Sequence, residues 1–270
     1  MPKFNANLTM LFTEVDFLER FAAAADSGFA GVEYLFPYAY PEADVARALR
    51  DARLEQVLFN LPAGDWAAGE RGIACLPDRV DEFRQGVGRA LTYAGALGCT
   101  KLNCLAGKIP AGLERDAAHR TFVDNLRFAA AKLARADVSL VIEAVNTYDI
   151  PGFFLSHSRQ AFDIMDEVGS DNLTLQYDIY HMQRMEGELA ATLEKHLARI
   201  GHVQLADNPG RHEPGTGEIN YPFLFEHLDR IGYSGWIGCE YVPAGLTREG
   251  LGWATSYLRP ARTGSLEHTA

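Results

Sequence analysis

A chain of 270 residues, 47% apolar and 23% charged, is long enough to bury a large core without covalent staples and is ordinary in composition for a globular protein. A formal net charge of −11 argues against a nucleic-acid partner, which needs a basic face, while leaving room for a small anion held by one or two local arginines. No apolar run approaches about 18 residues, the start lacks a basic-plus-apolar leader, and Cys75, Cys99, Cys104 and Cys239 form no C-x-x-C pair, so the chain reads as cytoplasmic, off the membrane, with buried reduced thiols.

Short apolar runs alternate with amphipathic stretches throughout. Phe4 to Leu8 reads as a strand, followed by a helix capped by Asp16 and stopped at Gly28. Gly31 to Leu35 is a second strand, Pro41 to Ala52 a helix, and Gln56 to Asn60 a third strand. Leu61 to Pro77 is a long loop holding Asp65, Trp66, Glu70 and Arg71, and a loop of that length in a compact domain is expected to have a function. Asp78 to Leu97 is a helix, Lys101 to Leu105 a strand, and about Leu113 to Ala136 a helix. Val138 to Ala144 with Ser158 to Val168, Leu173 to Tyr177 with Glu186 to Leu197, and Ile200 to Ala206 with Tyr221 to Ile231 are three further strand–helix units. Gly235 to Tyr241 is the eighth strand, and Thr247 caps a last helix to about Leu258. Eight units in strict alternation, without a break in composition, predict an α/β fold that is a single (β/α)8 TIM barrel over residues 1–258. The tail at 259–270 reads as frayed or as a subunit contact, which leaves room for a homo-oligomer. The first strand has no G-x-G-x-x-G after it, which removes the main support for a dinucleotide fold.

Barrel enzymes place their chemistry at the C-terminal ends of the strands. Here the fifth strand ends V-I-E at Glu143, the sixth Q-Y-D at Asp178, the eighth G-C-E at Glu240, and the seventh carries Gln204. Any one of these alone is as well explained by a cap or an ion pair, but four in register on consecutive strands predict a shared site. Four oxygen donors without a thiolate suit a hard divalent metal, Mg2+ or Mn2+, better than zinc. His181, three residues after Asp178, is either a group that hydrogen-bonds a substrate oxygen or a satisfied structural histidine. His202 falls on the same strand face as Gln204 but deeper, as a packed and hydrogen-bonded residue, and the other histidines are expected at the surface. Arg71 and Arg211 are the cations placed to grip a carboxylate through paired hydrogen bonds. The run Pro214 to Gly217 reads as a tight turn rather than a phosphate cradle.

At these residues the sequence resembles the hydroxypyruvate isomerases, within the xylose-isomerase-like barrel superfamily. The resemblance spans nearly the whole chain and rests on F-N-A-N-L-T-M-L-F near the start, N-L-P-A-G-D-W-A-A-G-E-R-G-I-A-C at 60–75, Y-D-I-Y-H-M-Q-R-M-E-G-E-L at 177–189, E-P-G-T-G-E-I-N-Y at 213–221 and G-W-I-G-C-E-Y at 235–241. It implies that Glu143 and Glu240 are the catalytic pair and that a divalent metal is held by Glu143, Asp178, Gln204 and Glu240. Sugar epimerases of the superfamily usually carry His where Gln204 stands, so their metal preference and substrates are not carried over. The 2-oxo-tetronate isomerases are a close sister family. The start and the G-L-T-R-E-G-L-G-W segment are similar to both, whereas the 60–75 loop and Y-D-I-Y-H-M-Q-R-M favour the hydroxypyruvate branch.

The implied partner is a small hydroxy-keto acid. Hydroxypyruvate and tartronate semialdehyde differ by a carbonyl moved between C2 and C3. One base takes a proton from the hydroxyl-bearing carbon to leave an enediolate, and a proton returns to the neighbouring carbon. Trp66, in the third loop, is expected to exclude water and limit substrate length. Two competing readings are a metal-dependent endonuclease of the same superfamily, which the charge and the few strand-end histidines disfavour, and a non-catalytic sugar-acid binding protein, which two retained glutamates disfavour.

Overall fold

The computed structural model describes residues 1–260. Eight parallel strands close into a barrel in sequence order: β1 (Lys3–Asn7), β2 (Gly31–Tyr34), β3 (Glu55–Asn60), β4 (Lys101–Cys104), β5 (Ser139–Glu143), β6 (Leu173–Asp178), β7 (Ile200–Leu205) and β8 (Trp236–Cys239), with β8 pairing back onto β1. The helices α1 (Arg20–Asp26), α2 (Glu42–Ala52), α3 (Val80–Leu97), α4 (Arg115–Ala134), α5 (Ser158–Val168), α6 (Ile179–Met185), α7 (Leu189–His196) and α8 (Tyr221–Arg230) follow strands β1 to β7, two of them after β6. The expected alternation and the single barrel are therefore present, with element ends shifted by a few residues.

The apolar core lies between strands and helices. Phe4 of β1 meets Phe225 of α8 edge-on at 5.0 Å between ring centroids, and Phe122 of α4 meets Phe154 at 5.6 Å. Burial of each such side chain contributes roughly 1.5–3 kcal/mol. Inside the barrel the alternation brings a different set together. Asn5, Asn7, Glu33, Gln56, Asn60, Asn103, Gln176, His202 and Gln204 are all buried there or at its mouth. This interior is hydrogen-bonded amide and carboxylate where most barrels stack branched apolar residues, and it forms the floor of the site described below.

Three local expectations are corrected. The helix expected from Glu186 to Leu197 begins at Leu189, and a separate short helix, α6, starts directly after β6. Asp178 causes this, because its Oδ1 accepts from the backbone N–H groups of Tyr180 (2.8 Å) and His181 (3.3 Å) and so caps a new helix. Gly187 and Glu188, both at positive φ, then turn the chain into α7. The last helix is a 3-10 segment, Glu249–Ala254, and Thr247 does not cap it. Its hydroxyl accepts from Phe12 N–H (2.8 Å) and donates to Glu14 (3.1 Å), tying the eighth loop to the first. His227 is buried in α8 with Nε2 2.9 Å from the Ala190 carbonyl, so it is not a surface histidine. At the tail, Arg259 N–H donates to the Gly28 carbonyl at 3.1 Å, and residues 261–270 lie outside the described residues.

Candidate active site

The polar floor is centred on Glu33 of β2, which is fully buried. Its Oε2 accepts from Asn5 (2.8 Å) and lies 2.7 Å from His202 Nε2, while its Oε1 accepts from Asn7 (3.0 Å) and Gln204 (2.6 Å). Burial raises the carboxyl pKa, but His202 and these hydrogen bonds outweigh it and hold Glu33 below the usual carboxylate range. Burial holds His202 below its usual value despite Glu33, so it is the packed, hydrogen-bonded residue that its strand position predicts. Gly238 of β8 makes the room: a Cβ there would stand 2.4 Å from Glu33 Oε1.

From this floor the network climbs to Glu240, Asp178 and Glu143. Asn7 also donates to Glu240 Oε2 at 3.3 Å. Gln204 accepts from Gln176 at 2.6 Å, and the register sets Asp178 beside Gln204. Asn103 donates to both Asn60 (3.2 Å) and Glu143 Oε2 (3.0 Å). At the mouth, Arg211 donates to Glu240 Oε1 at 3.0 Å, and its buried Nε has no partner. His181 Nε2 stands 3.7 Å from Glu143 Oε1 and 3.5 Å from Asp178 Oδ2, an oxygen that is itself buried and unpartnered.

A cavity of about 70 Å3 opens above these groups at the C-terminal ends of the strands. Glu143, Glu240, His181, Arg211, Arg71 and Trp66 all line it, with Met10, Leu35, Leu105, Val145, Ile150 and Phe153 as apolar walls. Asp178 and Gln204 do not line it and sit beneath. The third loop reaches the cavity because two glycines let backbones meet: a Cβ on Gly72 would lie 2.4 Å from the Leu105 carbonyl oxygen, and one on Gly107 2.5 Å from that of Gly72, both at positive φ. Thus anchored, Arg71 donates to the carbonyls of Trp66 (3.0 Å) and Glu70 (2.7 Å) and stacks on the Trp66 ring at 4.1 Å, and that ring abuts Phe36.

The seventh loop is fixed by Asp207, a buried carboxylate. It accepts from the backbone N–H groups of Asn208 (2.9 Å), Gly215 (2.8 Å), Gly217 (3.0 Å) and Ile219 (3.1 Å). The 214–217 run is thus a stitched turn, as its composition predicts. The same loop presents Arg211 at φ +56°, a sparsely populated conformation for a residue with a side chain.

The electrostatics follow from burial. Glu143 is pushed up to about 8, mainly by desolvation and then by the Asp178 charge. Asp178 is pushed up to about 6 by desolvation, opposed by Arg211 and by the N–H groups it caps. Desolvation also raises Glu240 well above the usual carboxylate range, against the pull of Arg211. Burial works against the Arg211 cation, but Glu240, Asp178 and Glu143 outweigh it, and its pKa is raised. His181 is held well below its usual value by burial and by Arg211 and Arg184, and is neutral. Two glutamates whose proton affinity burial raises, facing one small cavity, can remove and return a proton. The carboxylates of Glu143 and Asp178 and the imidazole of His181 lie within 4.8 Å of one another, a grouping that can bind a metal.

Glu33, Asn7, Asn103, Gln176, Asn146 and Asp207 were not singled out by the sequence reading. The first four carried a usable signal, since a polar residue every second position in otherwise apolar strands points into a barrel interior. Asn146 and Asp207 lie in loops, where no periodicity marks them.

Comparison with known proteins places the chain among relatives. Residues 21–257 match a family model described as a xylose isomerase-like TIM barrel. Hydroxypyruvate isomerase of Escherichia coli (strain K12) is 56% identical over 257 residues, covering 95% of this chain and 100% of that protein. A 2-oxo-tetronate isomerase of Cupriavidus necator is 50% identical over 258 residues, covering 96% and 99%. Among solved structures, one described as an AP endonuclease, family 2, from Brucella melitensis superposes with a TM-score of 0.94 at 48% identity, covering 96% of this chain and 100% of that one.

Proposed function

The chain belongs to the xylose isomerase-like TIM barrel family, and we propose that it is an isomerase interconverting hydroxypyruvate and tartronate semialdehyde through an enediolate. The observation that carries this reading is the convergence of Glu143 and Glu240, at the ends of strands three apart, with two arginines on one cavity of about 70 Å3. One glutamate of the pair removes a proton from the hydroxyl-bearing carbon and the other returns one to its neighbour, a role that fits carboxyls whose proton affinity burial raises. Arg211, with a free buried Nε, and Arg71, fixed against Trp66, hold the substrate carboxylate. Trp66, on the cavity wall in the third loop, limits substrate length, which favours a three-carbon acid over a four-carbon 2-oxo-tetronate.

Glu143, Asp178, Gln204 and Glu240 are the set we assign to a divalent cation, Mg2+ or Mn2+. The unpartnered Asp178 Oδ2 and the hard oxygen donors fit such an ion, and Gln204 Oε1 keeps a second lone pair beside its bond from Gln176. When bound, the ion supplies positive charge for the enediolate oxygens. We place the enzyme in the cytoplasm, because its four cysteines are all free and buried and no helix among the described residues is long and apolar enough to cross a membrane.

The test is incubation with hydroxypyruvate and with 2-oxo-tetronate, with products identified by NMR. Appearance of tartronate semialdehyde at a higher kcat/KM than the four-carbon reaction is expected. A preference for the four-carbon acid moves the assignment to the sister activity, and no turnover of either acid ends the isomerase reading. The name of the Brucella structure raises an endonuclease instead. A small cavity lined by Trp66, on a chain of net charge −11, is not a basic duplex groove, and failure to nick an abasic duplex is expected.

A further inference from the structure

His181 stands close enough to Glu143 and Asp178 for the three to share one cation, and its chemistry depends on which ring nitrogen carries the proton. Asn146, in the loop after β5, decides this. Its side-chain oxygen accepts from the backbone N–H groups of Tyr148 (3.1 Å) and Asp149 (2.8 Å), which fixes the amide orientation from one side. Its Nδ2 donates to Asp149 Oδ2 at 3.0 Å, which fixes the orientation from the other. Flipping the amide would set its oxygen against the Asp149 carboxylate and its NH2 against two N–H donors. The same Nδ2 lies 2.7 Å from His181 Nδ1, so that ring nitrogen must accept. Asp149 is braced in turn by Tyr180 Oη (2.8 Å) and Arg184 (2.8 Å).

We propose that Asn146 is a positioning residue that locks His181 as the neutral Nε2–H tautomer, making His181 a hydrogen-bond donor to a substrate oxygen and not a metal ligand. A protonated Nε2 has no lone pair to offer a cation, so an ion in this site rests on the carboxylates of Glu143 and Asp178 without the imidazole. Neither carboxylate satisfies Nε2–H, at 3.7 and 3.5 Å, so the donor is free for a ligand in the cavity that His181 lines. In the enediolate it faces an oxygen that gains negative charge, where a neutral donor stabilises without adding a second cation beside Arg211. That catalytic step rests on the isomerase reading, but the tautomer lock does not.

The experiment reads the two separately. In metal-free wild-type protein, 15N NMR of the histidine rings, with His181 assigned by its loss in His181→Asn, is expected to show a protonated Nε2 and an unprotonated Nδ1. Asn146→Asp replaces the donor with an acceptor and is expected to move the proton to Nδ1. Asn146→Ala, which leaves no second carboxylate beside Asp149, is expected to give a mixture of tautomers. Both substitutions should lower kcat at least tenfold with hydroxypyruvate, with a smaller change in KM. A wild-type ring carrying its proton on Nδ1, or a tautomer unchanged in both variants, overturns the lock whatever the activity. An altered tautomer with unchanged kcat overturns the donor role. Absence of wild-type turnover, with the tautomers as expected, tells against the isomerase reading alone.

Discussion

Glu33→Gln tests the polar floor on which the site stands. The substitution keeps the shape of the side chain and replaces one carboxylate oxygen by an NH2 group. Either oxygen so replaced now faces two donors: Asn5 and His202 on one side, or Asn7 and Gln204 on the other. Two buried donors lose their acceptor, and each such group costs about 1–3 kcal/mol, for a gross loss of about 2–6 kcal/mol. Reorientation of the Asn5 or Gln204 amide recovers part of this, so a destabilisation of about 2–4 kcal/mol is expected. At this chain length that lowers Tm by roughly 4–16 °C. The loss should also reach the chemistry, because Asn7 donates to Glu240 and Gln204 is bonded to Gln176 in the same network. The assay is urea unfolding of the metal-free protein at pH 7, followed by circular dichroism and fluorescence to check two-state behaviour, with turnover measured on the folded variant. A variant within 1 kcal/mol of wild type would refute the claim that Glu33 is the acceptor holding the floor together.

Glu143→Gln and Glu240→Gln should each lower turnover at least ~100-fold while leaving the circular dichroism spectrum intact, and a near-normal rate in either removes that residue from proton transfer. Trp66→Ala should raise kcat/KM for the four-carbon acid relative to hydroxypyruvate by about 1–3 kcal/mol in the ratio, and an unchanged ratio means that Trp66 is not the wall. Arg211→Lys should weaken acids far more than uncharged ketoses, since a lysine cannot reproduce both the bond to Glu240 and a second, parallel donor. Glu143 and Asp178 have folded pKa values raised to about 8 and about 6 from 4.5 and 3.8, so the folded state binds the extra protons. Their contribution to stability is therefore greatest below about pH 4 and is lost as pH rises towards 8. Mg2+ or Mn2+ should flatten that loss by favouring the ionised carboxylates, and Tm profiles from pH 5 to 8 that coincide with and without the ion count against a cation at these residues.

Much of the molecule was legible in the sequence for definite reasons. Alternation of apolar strands with amphipathic helices has a period that each segment carries locally, so eight units, and with them the closed parallel barrel, could be counted without any contact being known. Because the fold sends strand ends to one face, Glu143 and Glu240 could be placed together from position alone, and Trp66, Arg71 and Arg211, in loops, and His181, in the helix that starts directly after β6, follow from lying just past strand ends at that face. What the sequence could not carry is any property set by pairs distant along the chain. Glu33 gains its acceptor role from β1 and β7, up to 171 positions away, and Gly238 matters only because β8 passes it. The pKa shifts of Glu143, Asp178 and Glu240 come from desolvation in the assembled barrel. Likewise the proton on His181 is set by Asn146, 35 residues earlier, through an amide whose orientation two backbone N–H groups and one carboxylate fix. Periodicity is a local quantity and survives in the one-dimensional string, whereas burial and hydrogen-bond direction exist only once the barrel has closed.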